Sequence, residues 1–229
     1  MEGLMQGKLV EFSSNGDLCH GYLSVPVKGT GPGVIVLQEW WGLVDHIKDV
    51  ADRFSREGFV ALAPDLYHGA TTTVPDEAAK MFMALNIHQF EKDLQGAIQC
   101  LLSLGAVTGT KVATVGFCMG GQLSLLAACS NSSVGACVDY YGIHPNVHPD
   151  LNSLKAPVLG FFGERDSSVK PETVHKLENE LRRLGKQVEF HVFPGANHAF
   201  FNDTRPEVFH SGYASESWER MIRFLKDHV

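Results

Sequence analysis

A cysteine stands where a strand-like segment meets a helix-like one. The strand-like segment 111–115 leads into Gly116-Phe117-Cys118-Met119-Gly120-Gly121, and a helical pattern follows over 120–129. Gly-x-nucleophile-x-Gly is the nucleophile elbow, in which small residues let strand and helix approach while the central side chain projects outward. A helix N-terminus also favours a thiolate over a thiol. We therefore predict Cys118 as a nucleophile, with a buried structural cysteine as the alternative.

A carboxylate and an imidazole follow two later strand-like segments. Residues 157–162 lead into a loop with Asp166, and residues 188–193 lead into a loop with His198. The carboxyl ends of parallel strands meet at one edge of a sheet. The chain order nucleophile, acid, base is that of an α/β-hydrolase. In this arrangement His198 takes the thiol proton and returns one to the leaving group, while Asp166 fixes the imidazole tautomer.

Each partner has an alternative interpretation. Asp166 could cap the helix that starts near Pro171, and Asp139 is a competing acid on the preceding strand-like run. Asp166 is favoured because it lies past the end of the strand that directly precedes the histidine loop. His198 could be an ordinary loop histidine, although it alone among the histidines follows a strand and a Pro-Gly turn.

A second loop has the residues expected around an oxyanion. The apolar run 33–37 ends in Gln38-Glu39-Trp40-Trp41-Gly42, at the loop that normally supplies part of the oxyanion hole. We predict the backbone N–H groups of Met119 and Trp40 as the donors, each worth about 3 kcal/mol in the transition state. Glu39 would modulate the thiol by accepting its proton in a hydrogen bond or by opposing its ionisation. The alternative is a solvent-facing loop acid.

The surrounding pattern predicts one α/β domain over residues 1–229, without a large lid domain. A hairpin of 8–12 and 19–25 turns at 14–17, and strands then alternate with helices, which indicates a mostly parallel central sheet with helices on both faces. The remaining strands are predicted at 33–37, 60–63, 111–115, 136–141, 157–162 and 188–193. Helices are predicted at 45–57, 78–101 (as one or two), 120–129, 171–184 and 214–226. A surface loop is predicted at 67–75.

Composition narrows the function classes. Hydrophobic residues make up 44% and charged residues 20%, with a net charge of -7 and no Lys/Arg-rich run, which argues against nucleic-acid binding. Residues 1–9 do not resemble a signal peptide, and no apolar run approaches the roughly 20 residues that span a bilayer. We expect a soluble cytoplasmic monomer that acts on a small molecule.

Metal and cofactor sites are not expected. The five cysteines form no CxxC pair and have no histidine spacing typical of zinc, so reduced thiols in the cytosol fit best. His144 and His148 are spaced as ligands on one helix face, but Pro145 between them disfavours that helix.

Together these residues resemble the dienelactone hydrolase family, also called carboxymethylenebutenolidases, over nearly the whole chain. The resemblance is carried by the elbow, by Asp166 in its loop, and by four further segments: 38–42, 63–67, 140–142 and 195–200. It implies an α/β-hydrolase that cleaves a carboxylic ester or lactone through a thioester acyl-enzyme, without a cofactor. Cys118, Asp166 and His198 would be the triad, and Glu39 the acid that holds the resting thiol and helps activate it once substrate binds.

The chain departs from the family pattern in the pocket. The resemblance leads us to expect arginines before the helix near Glu77 and four residues after the catalytic histidine, where they would grip a substrate carboxylate. Residues 70–85 contain no arginine, Asn202 occupies the second position, and Arg205 is shifted. An amide does not replace the bidentate pairing of a guanidinium, so the substrate class stays open. Candidate substrate-binding residues are Trp41, Phe82, Tyr141, Asn202 and Arg205. Alternative functions are a thioesterase or acyltransferase on the same triad, or a non-catalytic thiol sensor or binding protein.

Overall fold

The computed structural model describes residues 7–14 and 16–229. The chain divides into two compact units: the first runs to Ala113 and includes Val229, and the second is Thr114–His228. The expectation of a single domain therefore stays a prediction. Most of the N-terminal segment tested above for a signal peptide, and Asn15 of the predicted hairpin turn, lie outside the described residues.

The first unit begins with the predicted hairpin, which is confirmed. Strands β1 (Lys8–Ser14) and β2 (Asp17–Ser24) pair antiparallel with Phe12 opposite Cys19. The strand order is β1-β2-β4-β3, and β3 (Gly31–Leu37) and β4 (Val60–Pro64) are parallel. Helix α1 packs through Ile47, Val50 and Phe54, the spacing of one helix face. The elements of this unit are β1 (Lys8–Ser14), β2 (Asp17–Ser24), β3 (Gly31–Leu37), α1 (Asp45–Arg56), β4 (Val60–Pro64), α2 (Pro75–Ala84), α3 (Ile87–Ser103) and the first part of β5 (Val107–Phe117).

The predicted helical stretch 78–101 is two helices. Helix α2 starts at Pro75, where a missing N–H is tolerated. Asn86 separates the two helices because its side chain accepts the backbone N–H of Gln89 at 3.1 Å, as an N-cap residue does.

The second unit contains the elements that hold the predicted triad. Strands β6 and β7 are parallel, as are β7 and β8, and the strand order is β5-β6-β7-β8. Helix α4 is apolar and buried along most of its length, as expected of a helix covered on all sides. The elements are residues 114–117 of β5, α4 (Met119–Ser130), β6 (Val134–Tyr140), β7 (Val158–Gly163), α5 (Pro171–Arg183), β8 (Val188–Phe193) and α6 (Ser211–His228).

Among the described residues, β3 and β4 of the first unit are parallel, as are β6, β7 and β8 of the second, and helices accompany the strands of each unit. The predicted α/β-hydrolase fold is confirmed. Within the described part of the chain, no helix has both the length and the apolar character needed to cross a bilayer.

Candidate active site

Cys118 lies in a sharp turn between β5 and α4. Its φ of 53° falls in the left-handed region, a conformation that strains a residue with a side chain by about 1–3 kcal/mol. The turn is held by the backbone, because Cys118 N–H donates to the Tyr140 carbonyl and Gly121 N–H donates to the Cys118 carbonyl, both at 3.0 Å. The cysteine is 8% exposed. This is the strand, turn and helix that the elbow pattern predicts.

The glycines of the elbow permit a close backbone approach. A Cβ atom at Gly116 would overlap the carbonyl of Gly120, and one at Gly121 would overlap a carboxylate oxygen of Asp139. A side chain at either position would therefore displace backbone or a buried acid, which explains the small residues of the motif.

The carboxylate that reaches His198 is that of Asp166. The His198 Nδ1 and Asp166 Oδ2 atoms are 2.6 Å apart, and the Asp166 side chain is buried. Its other oxygen accepts the N–H groups of Ser168 and Val169 at 2.7 and 2.8 Å. The N-cap residue of α5 is Lys170, so Asp166 fixes the preceding turn while it orients the imidazole.

His198 also forms a side-chain hydrogen bond with Cys118. Burial lowers the pKa of His198, but the hydrogen bonds and charges of Asp166 and Cys118 oppose it and raise the pKa to about 10. The three side chains thus form one linked group that favours a protonated imidazole beside the sulfur.

Asp139, the competing acid, accepts a hydrogen bond from the backbone. Its Oδ1 accepts the N–H of Gly142 at 2.7 Å. Burial raises its pKa to about 7 despite that hydrogen bond. It lies against Gly121 and Gly142 at the base of the turn.

Three predicted substrate-binding residues belong to the same unit. The Tyr141 ring centroid is 5.0 Å from that of His198. Asn202 is buried, and its side-chain oxygen accepts the N–H and hydroxyl of Thr204 at 3.0 and 2.6 Å. Arg205 pairs with Glu207 at 2.8–2.9 Å. Tyr141 therefore lies beside the imidazole, whereas the Asn202 oxygen serves its own loop.

The first unit contains another Cys/His/Asp group, which the sequence reasoning missed. The ligand-type atoms of Cys19, His68 and Asp93 all lie within 4.8 Å of one another. Here the Cys19 thiol donates a hydrogen bond to the Asp93 carboxylate. Burial and the neighbouring Asp93 raise the pKa of Cys19 to about 12. A thiol that resists ionisation is a poor nucleophile, so this group lacks the character of the Cys118 group.

Comparison with known proteins identifies the family. Residues 19–229 match the profile of the dienelactone hydrolase family. The chain belongs to the dienelactone hydrolase family. Protein usf of Aquifex pyrophilus is 34% identical, over 97% of this chain and 99% of that protein. The solved structure of a dienelactone hydrolase-like promiscuous phosphotriesterase from metagenomic libraries is 26% identical with a TM-score of 0.88, covering 99% of both chains. An acylaminoacyl peptidase of Pyrococcus horikoshii, 13% identical with a TM-score of 0.78, matches all of this chain and 42% of its own; it shares the fold alone.

The segment 38–42, which carries part of the family resemblance, lies in the first unit. Glu39 is 2% exposed, so the alternative of a solvent-facing loop acid is wrong. The Trp40 ring packs edge-on against Trp41 at 5.0 Å and against Phe82 at 6.5 Å between ring centroids. The roles of Glu39, of the Trp40 and Met119 N–H groups, and of Trp41 and Phe82 as pocket residues stay predictions.

Proposed function

We propose that this member of the family hydrolyses a carboxylic ester or lactone with Cys118 as its nucleophile. The observation that supports this most is the pair of side-chain hydrogen bonds that links Cys118 to His198 and His198 to Asp166. The cysteine itself lies at a strained strand-to-helix turn. An activated nucleophile needs a base within hydrogen-bonding reach and a third group that orients the base. The proposed nucleophile, base and orienting group all belong to the second unit.

The reaction has two steps. In the first, the Cys118 sulfur attacks the substrate carbonyl and forms a thioester, while the proton held by His198 passes to the departing alkoxide. In the second, His198 removes a proton from water, the resulting hydroxide attacks the thioester, and the thiol leaves with a proton from the imidazole. Asp166 keeps the imidazole in the tautomer that both transfers require. The N–H groups of Met119 and Trp40 are the proposed donors to the developing oxyanion.

Glu39 is proposed as the acid that tunes the thiol. It is a buried carboxylate in the segment that the family resemblance assigns to this role. A negative charge close to a thiolate opposes its ionisation, whereas a hydrogen bond to a thiol holds the neutral form. Either effect restrains the sulfur until substrate binds.

The substrate class is proposed to be a neutral ester or lactone. A guanidinium favours bidentate binding of a carboxylate; Asn202 stands at one position where the family resemblance leads us to expect an arginine, and Arg205 pairs with Glu207. We expect neutral esters and lactones to be turned over faster than a carboxylated dienelactone. A Glu207→Gln variant, which removes the negative charge paired with Arg205, should lower KM for the carboxylated substrate by up to about fivefold and leave KM for p-nitrophenyl acetate unchanged. Faster turnover of the carboxylated dienelactone by the native protein would contradict this substrate class.

The acyl-enzyme is tested by trapping it. The protein is mixed with p-nitrophenyl acetate, quenched in acid and digested, and the acetylated peptide is identified by mass spectrometry. We expect one acetyl group on the peptide that contains Cys118, removable by neutral hydroxylamine as a thioester is. A Cys129→Ser variant, altered on the same helix α4, should be labelled normally. Acetylation at another residue on the turnover pathway would overturn the proposal.

The alternatives share the triad or dispense with it. A thioesterase would favour acyl thioesters over oxygen esters, so relative rates on the two substrate types test that alternative. An acyltransferase would pass the acetyl group to an added alcohol instead of water, which product analysis with added acceptors would reveal. A thiol sensor requires neither His198 nor Asp166, and their hydrogen-bonded arrangement favours the enzyme.

A further inference from the structure

Three metal-ligating side chains converge in the first unit, at residues that the proposed hydrolysis does not use. Cys19 lies on β2, His68 in the loop after β4, and Asp93 on α3. The His68 Nε2 and Asp93 Oδ2 atoms are 3.0 Å apart. The Cys19 Sγ and Asp93 Oδ1 atoms are 3.3 Å apart.

We propose that Cys19, His68 and Asp93 form a zinc-binding site. Thiolate, imidazole and carboxylate are the ligands that Zn²⁺ prefers, and its bonds of about 2.0–2.3 Å at tetrahedral angles separate neighbouring ligand atoms by about 3.3–3.5 Å. The Cys19 Sγ and Asp93 Oδ1 atoms, 3.3 Å apart, already match such an edge, and His68 Nε2 lies 3.0 Å from Oδ2 of the same carboxylate. All three ligand atoms lie within 4.8 Å of one another, so small side-chain rotations bring them around one ion.

The ligands are held by their surroundings before any metal binds. Asp65 accepts the N–H groups of Tyr67 and Gly69 at 3.1 and 2.6 Å, which fixes the turn that carries His68. The Gln89 side chain donates to Asp93 Oδ1 at 2.8 Å and orients the carboxylate. Outer hydrogen bonds of this kind fix ligand direction in zinc sites and raise metal affinity.

One coordination position remains for solvent. A cavity of about 260 Å³ is lined by both His68 and Asp93, together with apolar side chains such as Leu66 and Met81. The His68 side chain is 46% exposed, whereas that of Asp93 is 4% exposed. A metal ion can therefore enter from the His68 side, and water completes the fourth position, as in zinc sites with three protein ligands.

Binding replaces two hydrogen bonds with metal bonds. The Cys19 thiol releases its proton to solvent and binds as thiolate, neutral His68 binds through Nε2, and Asp93 binds as the carboxylate. The oxidation state of the ion does not change. The ion then joins β2, the loop after β4 and α3, so it should stabilise the first unit by mass action.

The test uses purified, chelator-treated full-length protein with Zn²⁺ and, as a spectroscopic substitute, Co²⁺. We expect one Zn²⁺ per chain and a thiolate-to-cobalt charge-transfer band in the near ultraviolet. Zn²⁺ should also raise the Tm. His68→Asn, at a half-exposed position where folding is not at risk, should abolish the band and the Tm increase. Cys19→Ser should do the same, and Gln89→Ala should weaken Zn²⁺ affinity by about tenfold.

Two matched controls separate this site from the other thiols. Cys100→Ser removes a cysteine from α3 itself, and Cys118→Ser removes the proposed nucleophile; both should bind Zn²⁺ as the native protein does. The proposal would be overturned if the native protein showed no cobalt band. It would also be overturned if the band persisted in His68→Asn and was lost in Cys118→Ser.

Discussion

At the scale of single residues, the imidazole of His198 is influenced by both of its neighbours, Cys118 and Asp166. Two of the influences that raise the pKa of His198 come from the cysteine, through its hydrogen bond and its charge, and two come from Asp166. Burial acts in the opposite direction. The pKa of His198 therefore depends on the cysteine beside it and reports on the state of the sulfur.

Replacing Cys118 with serine should therefore lower the pKa of His198. Serine keeps a hydrogen-bonding group but does not ionise near neutral pH, so the charge contribution of the sulfur is lost while that of Asp166 remains. NMR titration of the imidazole should give a pKa of about 10 in the native protein and a value lower by about one unit or more in the variant. Cys129→Ser is the control. Equal values in native protein and Cys118→Ser would show that the sulfur is not ionised beside the imidazole.

The sequence was sufficient to predict some residues and not others. Cys118, Asp166 and His198 each follow a strand, so the sheet itself brings them to one edge. Cys19, His68 and Asp93 lie on a strand, a loop and a helix, and no fixed spacing along the chain accompanies that arrangement. Their proximity appears only once β2, β4 and α3 are placed in three dimensions.

At the scale of elements, the elbow depends on the absence of side chains between β5 and α4. Gly116 faces the backbone of Gly120 so closely that no Cβ fits. Backbone cannot move aside as the end of a flexible side chain can, so the whole strand-to-helix junction would have to shift.

Gly116→Ala should therefore destabilise the protein by at least about 3 kcal/mol, since it forces a backbone displacement in a buried region. Gly105 is the matched control, because a Cβ there meets nothing within 4 Å and its φ is not in the left-handed region. Gly105→Ala should change the free energy of unfolding by less than about 1 kcal/mol. Chemical denaturation measures both variants, and equal effects would contradict the packing described for the elbow.

Element boundaries were predicted less well than element types. Strand β5 begins at Val107, four residues before the predicted start. The prediction missed this first part because it is polar and mostly exposed, so it lacks the apolar pattern that marks a buried strand. The helical stretch 78–101 has no proline within it to mark the break, which comes from the side-chain cap of Asn86. Exposed strand ends and polar caps are weak signals in a hydrophobicity pattern.

At the scale of the whole molecule, the chain comprises two compact units, and the boundary along the sequence falls between Ala113 and Thr114. We expect a single domain from the sequence, and a single domain typically unfolds as one cooperative unit. Differential scanning calorimetry of the metal-free protein should show one transition whose calorimetric and van't Hoff enthalpies agree. Two resolved transitions would contradict the single-domain prediction and indicate that the units unfold separately.

The most direct test of the central claim is turnover of p-nitrophenyl acetate and a neutral lactone by the native protein, Cys118→Ala and Cys129→Ser. We expect Cys118→Ala to lose at least about a thousandfold in kcat/KM while retaining its fold by circular dichroism, and Cys129→Ser to keep native activity. Hydrolysis by Cys118→Ala at the native rate would contradict the assignment of Cys118 as the nucleophile.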